Sequence, residues 1–187
     1  MPSNAPTLLW LGRIHPVKGL DHLLDAMNDQ RLKDAVLLLG GLSEDHVLER
    51  GLRNRAQDPA LRGRVRFLGW VDAAGKGELF KLADLFVFPS RKESFGLAAA
   101  EAISSGLPAV ISEGSGISRV VSDTAALVCS PESPSLAGAI ARALYEPGLL
   151  ARLQQGTAMA AQQLAWPPLV DLVESVYEEA IDGHDRR

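Results

Sequence analysis

Phe86-Val-Phe-Pro-Ser-Arg-Lys-Glu-Ser-Phe-Gly-Leu-Ala-Ala-Ala-Glu-Ala-Ile-Ser-Ser-Gly106-Leu-Pro-Ala-Val-Ile-Ser112 reads as a buried strand, a polar loop, a small-residue helix, a Gly–Pro exit and a second buried strand. Leu85 to Phe88 is a short apolar run stopped by Pro89, which suits a strand covered on both faces of a parallel sheet. The helix is expected to begin near Gly96 with Ser94 as its cap, and to end at Gly106 with Pro108 beyond. Two carboxylates mark the stretch eight residues apart, Glu93 in the loop and Glu101 inside the helix. A loop after a strand aims its side chains above the strand end, and the helix that follows lines the same crevice.

The alternation continues to both sides. Thr7–Leu11, Ala35–Leu39 and Val65–Leu68 read as strands upstream, and Ala109–Ser112 and Ala126–Cys129 as strands downstream. Between them lie an amphipathic helix carrying Leu20, Leu23, Leu24 and Met27, and a charged helix capped by Ser43 and running to about Ala56. A short helix is expected around Gly77–Leu82, and a turn of helix at Ile117–Val121. Ser133-Pro134 opens a helix to Tyr145, and Pro147 opens another. A last helix places Leu169, Leu172, Val173, Val176, Tyr177, Ala180 and Ile181 on one stripe. Strand–helix alternation throughout predicts an α/β fold: a Rossmann-like, doubly wound parallel sheet of six strands with helices on both faces. Such sheets bind ligands outside the carboxyl ends of their strands, at the switch point.

Glu101 lies between Ala98-Ala99-Ala100 and Ala102-Ile103, so small apolar neighbours are expected around it. A lone carboxylate there costs energy unless it is hydrogen-bonded. A vicinal diol such as a ribose would supply two donors, and a solvent-facing helix glutamate is the alternative. The residues alone leave both open.

A second motif, Gly12-Arg-Ile-His-Pro-Val-Lys-Gly19, follows the first strand. It carries Arg13 and Lys18 five residues apart and feeds a helix N-terminus, an arrangement that favours anions. A diphosphate is normally neutralised by a metal or by Arg and Lys. The chain has no Asp-x-Asp sequence, so the common metal–diphosphate clamp lacks obvious ligands and no metal site is expected. Ordinary surface cations remain the alternative on these residues alone. The same place lacks the Gly-x-Gly-x-x-Gly of dinucleotide-binding dehydrogenases, which sets that class aside.

Composition bounds the remaining classes. A chain of 187 residues with 47% hydrophobic and 22% charged residues fits one globular domain with a full core. A net charge of −4 without a Lys/Arg cluster gives no reason to expect nucleic acid. Cys129 is the only cysteine, which excludes an intrachain disulfide and suggests a reducing compartment. Nothing approaches membrane-span length, and Met-Pro-Ser-Asn-Ala-Pro is not a signal peptide, so a cytoplasmic location is expected. His15, His22, His46 and His184 have no metal-ligand spacing; His22 and His46 are expected to be solvated, and Cys129 to be a small buried residue.

Pro89-Ser90-x-x-Glu93-Ser94-Phe95-Gly96-Leu97-x-x-x-Glu101-Ala102-x-x-x-Gly106-Leu107-Pro108 resembles the E-x7-E signature of the retaining GT-B glycosyltransferases of family 4, glycosyl transferases group 1. The Gly-Arg…Lys-Gly pattern is similar to the same family at the same place. The resemblance implies that Glu93 contacts the transferred sugar, that Glu101 holds the ribose, and that Arg13 and Lys18 stabilise the departing nucleoside diphosphate. It also implies a donor-facing backbone at Gly12 and along Ser94, Phe95, Gly96 and Leu97, and contact of the Val71 backbone with the nucleotide base. No cofactor is implied beyond the nucleoside diphosphate sugar.

This sequence departs from the family in having Ser115-Gly116-Ile117-Ser118-Arg119 where Gly-Gly-x-x-Glu is usual, and Asp123-Thr-Ala-Ala126 without the usual glycine. Those departures put the contacts of the Gly114–Asp123 region in question. The resemblance runs from Thr7 to about Ile181 and is to the C-terminal, donor-binding half of a two-domain enzyme. Trp166 and Val176-Tyr177 are similar to the family's terminal helix, which crosses back to the first domain. A single domain over residues 1–187 is therefore expected. A glycan, lipid or small-molecule acceptor would be held by an absent N-terminal domain, which could also place the whole enzyme at a membrane periphery. The expected activity is metal-independent glycosyl transfer with the isolated domain inactive; the alternative is a non-catalytic module that binds a nucleotide sugar.

Overall fold

The structure, a computed structural model, describes residues 5–165, Val170, residues 173–177 and Ile181. Six strands, β1 (Thr7–Leu11), β2 (Val36–Gly40), β3 (Val65–Gly69), β4 (Leu85–Phe88), β5 (Ala109–Ser112) and β6 (Ala126–Cys129), form one sheet. Every pairing is parallel and the order is β3-β2-β1-β4-β5-β6. The chain winds outward from β1 to β3, returns to β4 beside β1, and winds the other way. The gap above β1 and β4 is therefore the switch point of the expected doubly wound fold.

The helices are α1 (Leu20–Ala26), α2 (His46–Arg55), α3 (Ala73–Leu82), α4 (Leu97–Ser104), α5 (Ser118–Val121), α6 (Ser133–Tyr145) and α7 (Leu149–Gln163). Side chains alternate across a strand, and both faces of this sheet are apolar. Leu8, Trp10, Leu37, Leu39, Leu85 and Val87 join Leu23 and Leu24 of α1 and Leu136 and Ile140 of α6 in one core layer. Leu9, Leu11, Leu38, Phe86, Phe88 and Ile111 join Phe80 of α3 and Ala99, Ala102 and Ile103 of α4 in the other. A fully buried leucine or phenylalanine contributes about 1.5–3 kcal/mol, so these unbroken apolar runs fix which segments become central strands.

Several helix starts differ from expectation. Asp45, not Ser43, caps α2, accepting from the N–H groups of Val47 and Leu48 at 2.9 and 3.0 Å. The Ser43 hydroxyl donates instead to the Ile14 carbonyl at 3.1 Å and so ties the loop after β2 to the loop after β1. Helix α3 begins at Ala73 rather than near Gly77, because the Asp72 carboxylate accepts from the Gly75 N–H at 2.8 Å. Helix α4 is capped by Gly96 and not by Ser94, whose hydroxyl lies 3.5 Å from the Glu93 carboxylate. Helix α7 begins at Leu149, past the left-handed Gly148, and not at Pro147.

Val170, residues 173–177 and Ile181 are helical, and Val173, Val176, Tyr177 and Ile181 are all exposed. Leu169, Leu172 and Ala180, expected on the same stripe, Trp166, and the leader residues before Ala5 lie outside the described residues. Among the described residues no helix is long and apolar enough to cross a membrane.

Candidate functional site

The loop after β1 and the loop after β4 meet above the switch point. A 3-10 turn, Pro16–Lys18, ends the first loop, and the His15 ring accepts from the Val17 N–H at 3.2 Å to cap that turn. Gly19 follows with φ 68, and a Cβ there would sit 2.1 Å from the Pro89 carbonyl oxygen. Only glycine allows the start of α1 to lie directly on the end of β4.

Arg91 fastens the two loops. Its N–H donates to the Val17 carbonyl at 2.8 Å. Its guanidinium donates to the Pro16 carbonyl and, at 2.6 Å, to the Asp21 carboxylate. Burial pushes the Asp21 carboxyl up, but the Arg91 hydrogen bond and charge outweigh burial and hold it below the ordinary carboxylate range.

A third loop supports the second. The Glu93 N–H donates to the Gly114 carbonyl at 3.1 Å, and the Ile117 N–H to the Phe95 carbonyl at 2.8 Å. Glu93 and Ser115 form a parallel bridge. The Gly114–Ile117 segment therefore braces the backbone that carries Glu93. At Gly96, with φ 111, a Cβ would meet Ile117 at 3.0 Å and Phe88 at 3.1 Å, so a glycine lets α4 begin tight against both.

Lys18 and Glu93 form an ion pair across these loops, with about a fifth of each side chain exposed. They line a crevice of about 1180 Å³ with Gly12, Ser94, Phe95 and Gly96. Leu97 and Glu101 of α4 line it too, as do Ala161 of α7 and Leu164 at the end of that helix. The first turn of a helix leaves N–H groups without intrahelical partners, and α4 begins at this crevice. Leu97 is 65% exposed and Phe95 36%, so apolar surface faces the opening.

Gly12 and Glu101 also line an adjoining pocket of about 300 Å³, which holds Arg13, Val71, Trp70 and Lys76. Each site residue expected from the sequence therefore lines one or other of two joined cavities. The small apolar neighbours expected around Glu101 are present in Ala98 and Ala100, but they do not enclose its carboxylate. Its side chain is 46% exposed and accepts from the Lys76 ammonium at 2.6 Å. Ala99 and Ala102 turn into the core, as helical periodicity requires, whereas the half-buried Ala98 and Ala100 line the crevice beside Glu101.

Lys76, Trp70 and Arg91 are the site residues that the sequence did not single out. Lys76 and Arg91 owe their places to partners distant in the chain, Glu101 and Asp21, which no local pattern could have found. Two smaller expectations are corrected: His22 is not simply solvated, since its Nδ1 lies 2.8 Å from the Pro131 carbonyl, and Cys129 is only partly buried. His46 is exposed. Among the described residues no group of three His, Cys, Asp or Glu side chains is placed to hold a metal ion.

Residues 1–158 match the family described as Glycosyl transferases group 1. The chain is 30% identical over 182 residues to a D-inositol 3-phosphate glycosyltransferase of Xylanimonas cellulosilytica, covering 96% of this chain and 44% of that one. It is similar to the structure of sucrose-phosphate synthase from Thermosynechococcus elongatus, with a TM-score of 0.85 and 28% identity over 98% of this chain and 47% of that one. Anabaena HepE, solved in complex with UDP and glucose, shares the fold with a TM-score of 0.85 and 22% identity, over 95% of this chain and 49% of HepE. The chain spans about half the length of the proteins it matches.

Proposed function

Because the chain belongs to the family Glycosyl transferases group 1, we propose that its crevice binds a nucleoside diphosphate sugar as the donor for glycosyl transfer. The observation that carries this reading is the convergence, at one switch point, of the Lys18–Glu93 pair with Arg13 and Glu101. The presence of UDP and glucose in the HepE structure supports it.

In this reading the diphosphate lies over Gly12 and between Arg13 and Lys18, whose charges neutralise it as the bond to the sugar breaks. Charge stabilisation of a leaving group of this kind needs fixed donors where charge develops. The Arg91 staple fixes the loop that supplies Lys18. Lys18 exchanges Glu93 for phosphate oxygens, which frees the Glu93 carboxylate to accept from sugar hydroxyls. Glu101 accepts from the ribose hydroxyls, the Val71 backbone meets the base, and Ser94 to Leu97 present backbone at the start of α4. The reaction is retaining and metal-independent, with the two cations in the place a divalent ion would take.

Transfer further requires an acceptor, a glycan, lipid or small molecule, held across the crevice. We place that role on a second Rossmann-like domain and read residues 1–187 as the donor half, so that this chain alone binds donor without turning it over. Water exclusion and joint positioning of donor and acceptor need both walls. The comparison to make is sugar transfer by residues 1–187 with transfer after an acceptor domain is supplied. Efficient turnover by the isolated chain defeats the half-enzyme reading, and donor binding with no transfer in either case favours a non-catalytic nucleotide-sugar module.

Donor binding itself is tested by titration calorimetry with nucleoside diphosphates and their 2′,3′-dideoxy analogues. Hydrogen bonds to a charged group are worth about 1.5–3 kcal/mol, so Glu101→Ala is expected to cost at least about tenfold in affinity for the ribose form. Equal affinity of wild type and Glu101→Ala for the ribose form rejects the role of Glu101.

A further inference from the structure

The loop after β2 reaches Arg13 through the backbone. Past the end of β1 the parallel pairing with β2 continues: the Gly12 N–H donates to the Gly40 carbonyl at 3.0 Å and the Ile14 N–H to the Leu42 carbonyl at 2.8 Å. Gly41 permits this approach. At its φ of 147 a Cβ would stand 1.7 Å from the Gly12 carbonyl oxygen. The next rung of a parallel ladder would be a backbone N–H donating to the Ile14 carbonyl. A side chain takes that place instead, the Ser43 hydroxyl at 3.1 Å.

Extended backbone sends successive side chains to opposite faces, and the alternation of β1 runs on through this extension. Trp10 and Ile14 are buried in the layer of α1 and α6, and a Cβ at Gly12, between them, would meet the Trp10 ring at 3.3 Å. Leu11 is buried in the layer of α3 and α4. Arg13 takes that second side, where it lines the pocket with Lys76 of α3 and Glu101 of α4. Ile14, 3% exposed, thus decides which way Arg13 points, and what fixes the Ile14 backbone fixes Arg13. Asp45 caps α2, so Ser43 is not needed there. The Ser43 hydroxyl accepts from the Asp45 N–H at 3.1 Å. The Asp45 carbonyl, 3.0 Å from the same hydroxyl, already accepts from the Glu49 N–H. The Ile14 carbonyl has no other donor among the described residues.

We propose that Ser43 is a positioning residue for Arg13: its hydroxyl clamps the Ile14 carbonyl and so holds the guanidinium where the departing diphosphate would lie. This rests on the reading of Arg13 as a phosphate ligand and extends it to a residue on another strand's loop. A cation already aimed loses less conformational freedom when its ligand arrives, and affinity rises by that saving. Lys18 is set by other means, its 3-10 turn and the Arg91 contact with Pro16. Ser43 therefore acts on one of the two cations and not on the other.

The test is a double-mutant cycle, read by titration calorimetry of residues 1–187 with uridine and guanosine diphosphates. Ser43→Ala is expected to lose about three- to tenfold in affinity. That loss is expected to disappear in the Arg13→Ala background and to persist in the Lys18→Ala background. Ser43→Thr, which keeps the hydroxyl, is expected to bind as the wild type does. Thermal melts establish that each variant is folded, and Ser43→Cys, a weaker donor of similar size, replaces Ser43→Ala if that variant is not. Wild-type affinity in Ser43→Ala, beside a loss in Arg13→Ala, overturns the clamp and leaves the donor reading standing. An equal loss with and without Arg13 also overturns it, by showing that the substitution disturbs the pocket as a whole. If Arg13→Ala costs no affinity, or if the wild type binds neither diphosphate at millimolar concentration, the phosphate role of Arg13 and the clamp fall together.

Discussion

The Lys76 ammonium and the Glu101 carboxylate, 25 residues apart in the chain, meet at 2.6 Å where α3 and α4 flank the crevice. The two side chains are 33% and 46% exposed, so their pairing adds little to stability, about 0.2–1 kcal/mol. Its consequence is local: in the proposed donor reading, Lys76 offsets a carboxylate that would otherwise repel an incoming diphosphate. Lys76→Met is expected to leave the melting temperature nearly unchanged and to weaken nucleoside diphosphate binding several-fold. The loss should shrink as salt is raised, because exposed charges are screened. A salt-independent loss in calorimetry would show that Lys76 acts through contact rather than through charge.

Arg13 and Lys18 are assigned to phosphate, so their removal should discriminate by phosphate count. Arg13→Ala and Lys18→Ala are each expected to cost affinity for a nucleoside diphosphate and to spare the free nucleoside. Addition of EDTA is expected to change neither value. Loss of binding in EDTA, restored by a divalent ion, would replace the cation-only arrangement.

Gly19 carries the contact between the two site loops. At φ 68, with the Pro89 carbonyl 2.1 Å from where a Cβ would stand, alanine can enter only if α1 or β4 shifts. Gly19→Ala is expected to destabilise the fold by about 1–3 kcal/mol in urea titration and to weaken diphosphate binding with it. Wild-type stability in that variant would mean that the loops separate more easily than their hydrogen bonds suggest.

Burial pushes the Cys129 thiol up from an ordinary 9.0 to about 11, with the Glu113 and Glu132 carboxylates adding to the shift and a Ser135 hydrogen bond opposing it. A raised folded pKa favours the neutral thiol. Its contribution to stability is thus full below pH 9 and is lost as pH rises through about 11. Since the thiolate is the reactive form, iodoacetamide at pH 9 is expected to modify native Cys129 far more slowly than the urea-unfolded chain. Equal rates in the two states would contradict a protected thiol.

Much of this protein is legible from local pattern. The runs Leu8-Leu9-Trp10, Leu37-Leu38-Leu39 and Phe86-Val87-Phe88 are apolar at every position, and only a strand covered on both faces uses such a run fully. That Glu93, Glu101, Arg13 and Lys18 line the joined cavities was legible because each belongs to a short motif after a strand, punctuated by glycines and prolines. Helix caps were less legible. Ser43 and Asp45 both suit a cap, and the choice fell to Asp45 once Ser43 was drawn to the Ile14 carbonyl of another loop. What only tertiary structure decided is which residues meet: Lys18 with Glu93, Lys76 with Glu101, and Arg91 with Asp21. Periodicity encodes the face a side chain takes on its own element. The partner it finds depends on the strand order β3-β2-β1-β4-β5-β6, which brings distant loops to one edge of the sheet.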